Sequence, residues 1–119
     1  MKERRQYIRI KARLYIRYKS LEDEKIEGHC WSRDISVAGI GVLIKEKLNP
    51  GMLMELTIDI QDKQRPLIVR TKVYWQVENP QDEEASEKLY RTGMVFVDIG
   101  DEKTNRIENL IGEFLKASK

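Results

Sequence analysis

Apolar side chains recur at every second position in one short segment after another. Ile10, Ala12, Leu14, Ile16 and Tyr18 alternate with Lys11, Arg13, Tyr15, Arg17 and Lys19, the pattern of a strand with one dry and one wet face. A second strand is expected over residues 26–32, followed by a tight turn over 34–39 and a third strand over 39–44. Asn49-Pro50-Gly51 is a strong turn signal, because proline presets φ and glycine accepts the left-handed region. Met54, Leu56, Ile58 and Ile60 alternate again, residues 62–66 turn the chain, and 67–77 carry Leu67, Val69, Thr71, Val73 and Trp75 on one face. An acidic stretch over 78–87 precedes a last strand near 89–97.

Only the tail changes period. Ile107, Leu110, Ile111, Phe114 and Leu115 form a helical stripe, with Asp101 or Gly100 as N-cap and Lys116 and Lys119 at the positive-preferring end. A run of antiparallel strands and one amphipathic helix predict a dominantly all-β fold. The expected form is a small six- to seven-stranded antiparallel β-barrel with the C-terminal helix packed over an opening or edge.

At 119 residues the chain is expected to be one domain. The divisions are a mobile basic arm over 1–9, the barrel over 10–97 and the helix over 101–117. The 40% apolar content suits a globular fold. No apolar run is long enough to span a bilayer, and the opening MKERRQYIRI is too charged for a signal peptide. The single Cys30 excludes an intrachain disulfide, and the single His29, beside it on the opposite strand face, offers little for a metal site. A soluble, cytoplasmic protein without membrane insertion is expected. Met52, Met54 and Met94 read as core fillers, and 78–87 as a solvated loop or a partner contact.

Two polar clusters are less easily explained by folding. Arg4-Arg5-Gln6-Tyr7-Ile8-Arg9 opens the chain, in a stretch where residues 1–19 hold eight bases against Glu3. Asp34-Ile35-Ser36-Val37-Ala38-Gly39 occupies the predicted turn. Arginine forks pair bidentately with phosphate and with the O6/N7 edge of guanine, and they stack on bases. A carboxylate suits the opposite guanine edge. The alternative is local for both clusters: solvated surface arginines, and an Asx or Ser turn in which Gly39 supplies a positive φ.

Order and spacing of these clusters resemble the PilZ domain family, whose signature is an RxxxR segment followed by a [D/N]xSxxG turn. Arg5 to Arg9 and Asp34 to Gly39 match it, supported by Gly39-Ile40-Gly41-Val42, Val73-Tyr74-Trp75 and Arg91-Thr92-Gly93-Met94-Val95-Phe96. The resemblance implies a β-barrel receptor for the bacterial second messenger cyclic di-GMP. Arg5 and Arg9 would contact guanine and phosphate, Asp34 and Ser36 a second guanine edge and phosphodiester, and Gly39 would permit the turn. Gly93 would let the last strand approach the ligand, or is an ordinary bulge glycine. Trp75 reads as core from its alternation with Val73, a wall of the site being the other reading. In proteins that this chain resembles, arginine just before RxxxR accompanies two stacked ligands; here that residue is Arg4.

The resemblance therefore implies a non-enzymatic sensor with no cofactor, binding one or two cyclic di-GMP. Its output would pass through an unidentified downstream protein or self-association. A single-stranded nucleic-acid-binding barrel is one alternative, disfavoured by a net charge of only +2 and by the lack of an evident ladder of exposed aromatics. A structural adaptor for an acidic protein partner is the other. Phosphodiester hydrolysis is disfavoured because Asp34 has no second carboxylate or histidine in its turn.

Overall fold

Residues 7–80 and 87–117 are described by the computed structural model. Six strands follow in order: β1 (Tyr15–Ser20), β2 (Glu27–Ile35), β3 (Gly39–Ile44), β4 (Leu53–Asp59), β5 (Leu67–Glu78) and β6 (Tyr90–Val97). Helix α1 (Asp101–Ala117) ends the described chain. Every pairing is antiparallel, and the order β1-β2-β3-β6-β5-β4 closes on itself where β1 pairs β4. Closure leaves no strand edge unpaired, and the inward positions of all six strands fill the interior. Ile16, Ile40, Val42, Met54, Leu56, Ile58, Val69, Val73 and Met94 make up most of that core. No helix among the described residues is long and apolar enough to cross a membrane.

The burial alternation runs from Ile10 through Tyr18 as the sequence predicts, but the ladder begins only at Tyr15. The reason lies in β2. Its register shifts between Ser32 and Asp34, and the buried Ser32 hydroxyl accepts the Leu14 amide at 2.8 Å and donates to the Ala12 carbonyl at 2.5 Å. Residues 10–14 are thus held along β2 by the Ser32 side chain, by the Ser32 amide donating to the Leu14 carbonyl at 2.9 Å, and by the isolated bridge of Ile10 with Ile35. The shorter predicted second strand is corrected in the same way. β2 continues through Ile35, so Asp34 stands on a strand and the turn begins only at Ser36.

Asn49-Pro50-Gly51 turns as expected, with Gly51 at φ 94° and the Met52 amide donating to Asn49. Gly100, at φ 83°, is the helix N-cap, since its carbonyl accepts the amide and the hydroxyl of Thr104. Ile107 and Ile111 enter the core and Leu110 packs against it, whereas Phe114 and Leu115 stay exposed. Only the first half of the predicted apolar stripe is therefore covered. Arg106 fastens this half by two 2.9 Å bonds to Asp62 and a 2.6 Å bond to the Arg65 carbonyl, both in the β4–β5 connection.

Candidate functional site

Two interruptions of strand alternation build the site. In β2, Ser32 and Ile35 point into the core, so the two residues between them, Arg33 and Asp34, both reach the outer side. In β5 the register shifts between Val73 and Trp75, and Tyr74 and Trp75 both turn outward. Bulges re-aim side chains in this manner without breaking the sheet. Trp75 is 43% exposed, which overturns its placement in the core; simple alternation with Val73 ignores the extra residue.

Cross-strand register aligns the two bulges on a single row. Asp34 faces Gly41, Gly41 faces Gly93, and Gly93 faces Trp75. The row thus has a carboxylate at one end, an indole at the other, and two strands of bare backbone between. Neighbouring side chains lean over both glycines. A Cβ at Gly41 would lie 2.7 Å from Asp34 Oδ1, and one at Gly93 would collide with Trp75 Nε1. Asp34, Gly41, Trp75 and Gly93 line a cleft of about 290 Å³, together with Arg9 and Tyr74.

Arg9 reaches this cleft from the segment ahead of β1. Its Nη1 donates to Asp34 Oδ1 at 2.5 Å, and its Nη2 lies 3.5 Å from Ser36 Oγ. Arg9 and Asp34 are each about one-third exposed, so this ion pair is open to exchange with a solute. Ser36 is only 1% exposed, and its oxygen accepts the Ala38 amide at 3.1 Å. It therefore fills the local turn-capping role and touches Arg9 as well.

Gly39 does not have the positive φ expected of it, which among glycines belongs to Gly51 and Gly100. Its glycine is needed for close approach, because a Cβ there would collide with the Met94 carbonyl oxygen. Gly93 is at the floor of the cleft. Arg4 and Arg5 lie outside the described residues. Sequence reasoning missed Gly41 and Tyr74. The alternation of Gly39-Ile40-Gly41-Val42 was a usable signal for Gly41, since two core residues on either side send it outward. His29 and Cys30 point to opposite faces as expected, exposed and buried respectively.

A closed six-stranded barrel with a helix against it, bearing an arginine–carboxylate pair beside a glycine floor, defines a small binding module. The sequence matches the PilZ domain over residues 3–113, and the chain belongs to this family. It is accordingly a regulatory binding domain and not an enzyme. Comparison with curated protein sequences gives no significant match. Among solved structures, the chain is similar to the Bacillus subtilis inhibitor of motility MotI/DgrA, with 24% identity and TM-score 0.74 over 96% of this chain and 52% of that one. It is also similar to the PilZ domain of Escherichia coli YcgR with c-di-GMP, at 16% identity and TM-score 0.75, covering 98% and 95% of the two chains. The K. pneumonia MrkH–c-di-GMP complex matches at 19% identity and TM-score 0.74 over 98% of this chain and 54% of that one. The chain thus spans about half the length of MotI/DgrA and MrkH.

Proposed function

We propose that this chain is a receptor for cyclic di-GMP that binds at the Asp34–Gly41–Gly93–Trp75 row. The observation that carries the reading is the convergence of Arg9, Asp34 and a side-chain-free backbone floor on one cleft. In the free protein Arg9 and Asp34 neutralise each other. On binding, Arg9 turns to a phosphate or to the O6/N7 edge of guanine, and Asp34 accepts from the N1–H and N2–H₂ donors of a guanine. The exchange replaces one charge-assisted contact by two. Gly41 and Gly93 admit the purine close to the backbone, with Trp75 as the wall. Ser36 and Gly39 keep the turn that presents Asp34.

Arg5 supplies the second fork of the RxxxR segment, and Arg4 a third. Two stacked ligands bring four phosphates together, and a third guanidinium offsets their repulsion. Two cyclic di-GMP per chain are therefore expected at saturation. Binding orders the basic arm, and the altered surface is read by a downstream protein in the cytoplasm. The YcgR PilZ domain with c-di-GMP and the MrkH–c-di-GMP complex, which share this fold, support the choice of ligand.

Selectivity tests the reading. In calorimetric titration cyclic di-GMP should bind far more tightly than GMP, which offers one base and one phosphate. Single-stranded DNA binding as tightly as cyclic di-GMP, with a steep salt slope, would contradict it.

A further inference from the structure

The outer face of β1 and β2 carries chemistry that the nucleotide cleft does not use. Across the ladder Tyr15 faces Trp31 and Arg17 faces His29. The Tyr15 and Trp31 rings meet edge to face at 5.5 Å, and those of Tyr15 and His29 lie 5.7 Å apart. The Arg13 guanidinium sits 4.6 Å over the Trp31 ring. These rings are the exposed aromatic ladder that sequence reading did not find. It escaped notice because it runs across strands, with Tyr15 on β1 and His29 and Trp31 on β2, rather than along one of them.

Charge on this face is one-sided. The outward residues of 11–19 and of β2 include the cations Lys11, Arg13, Arg17, Lys19 and Arg33 against two acids, Glu27 and Asp34, the second of which is paired with Arg9. Lys19 faces Glu27 across the ladder and pairs with Glu55 at 3.6 Å, so the excess lies toward the Trp31 end. There the surface dips into a groove of about 520 Å³ lined by Arg13, His29, Trp31, Arg33, Leu43 and Lys45, with Glu87 as the one acid in the lining.

We propose that this groove docks an acidic segment of a protein partner, its carboxylates on Arg13, Arg33 and Lys45 and its apolar side chains on Trp31 and Leu43. An arginine held over an indole by cation–π attraction keeps N–H donors for a bidentate pair with a carboxylate. Trp, Tyr and Arg are also the residues that carry most binding energy at protein interfaces. Single-stranded nucleic acid fits less well. Base stacking needs open ring faces, whereas Arg13 covers one face of Trp31 and Tyr15 packs edge to face against it. The proposal is independent of the nucleotide reading, because no residue in it belongs to the Arg9–Asp34–Trp75 cleft.

The test uses the full chain and a fluorescent peptide of Asp and Glu interrupted by two leucines. Its controls are the same peptide with lysine for each acid, and an oligothymidylate. Saturable binding of the acidic peptide alone is expected. Trp31→Ala and Arg13→Glu should each weaken it by about tenfold or more, while Arg70→Ala with Lys72→Ala, on the outer face of β5, should change it less than about twofold. Both target side chains are exposed, and thermal melts check that each variant folds. The proposal falls if the acidic peptide does not saturate, if the β5 pair weakens binding equally, or if oligothymidylate occupies this face and loses it in Trp31→Ala.

Discussion

Gly39, Gly41 and Gly93 sit on neighbouring strands, yet a methyl group at each would meet something different. At Gly39 the obstacle is the Met94 carbonyl, fixed backbone. Gly39→Ala should therefore cost about 1–3 kcal/mol of stability, read as a lower Tm. At Gly93 the obstacle is the Trp75 indole, a side chain that can swing outward. Gly93→Ala should leave Tm nearly unchanged and weaken cyclic di-GMP binding, because the floor is raised. Arg9→Ala should cost roughly 2–3 kcal/mol of affinity, about 30- to 150-fold. It should change Tm little, since an ion pair this open to solvent contributes at most about 1 kcal/mol. Calorimetry paired with thermal melts separates the three variants. Arg9 and Asp34 were legible as motif residues, whereas Gly93 was left open between an approach to the ligand and an ordinary bulge glycine. What each glycine is for was not legible, because the answer depends on which atom of a distant strand lies above it.

At the scale of elements, alternation together with turn signals located all six strands, and the switch of period located the helix. The two bulges were invisible, and they are what turn Asp34 and Trp75 outward. A bulge leaves no composition signal; it appears only when both strands of a pair are in register. The helix was read as a complete apolar stripe, but its anchor is polar. Arg106, bonded to Asp62, holds that carboxyl below its ordinary value of 3.8. A lowered carboxyl pKa gives stability that is present above the unfolded value and lost as pH falls through the folded one. Asp62→Asn should therefore lower Tm at neutral pH by an amount equivalent to about 1 kcal/mol. The gap from the unaltered protein should close as pH falls below 3.8. A gap that persists at low pH would show that the pair does not act through charge. Inside the barrel, burial first and the Glu46 carboxylate second push the Cys30 thiol up to about 12. Alkylation at pH 8 should be slow in the folded protein and fast in denaturant.

For the whole molecule, closure of β1 on β4 fixes the row of Asp34, Gly41, Gly93 and Trp75 on one wall of the barrel. Ligand number belongs to this scale, since it depends on how many guanidinium groups surround the phosphates at once. Calorimetric stoichiometry should give two cyclic di-GMP per chain and shift toward one in Arg4→Leu. A 1:1 end point in the unaltered chain would remove the stacked pair while leaving the receptor reading in place. The site itself is tested most directly by titrating cyclic di-GMP into the unaltered protein and into Gly93→Ala, both verified as folded by thermal melt. The account predicts saturable binding in the first and a loss of about tenfold or more in the second. No binding by the unaltered protein, or equal binding by both, would contradict it.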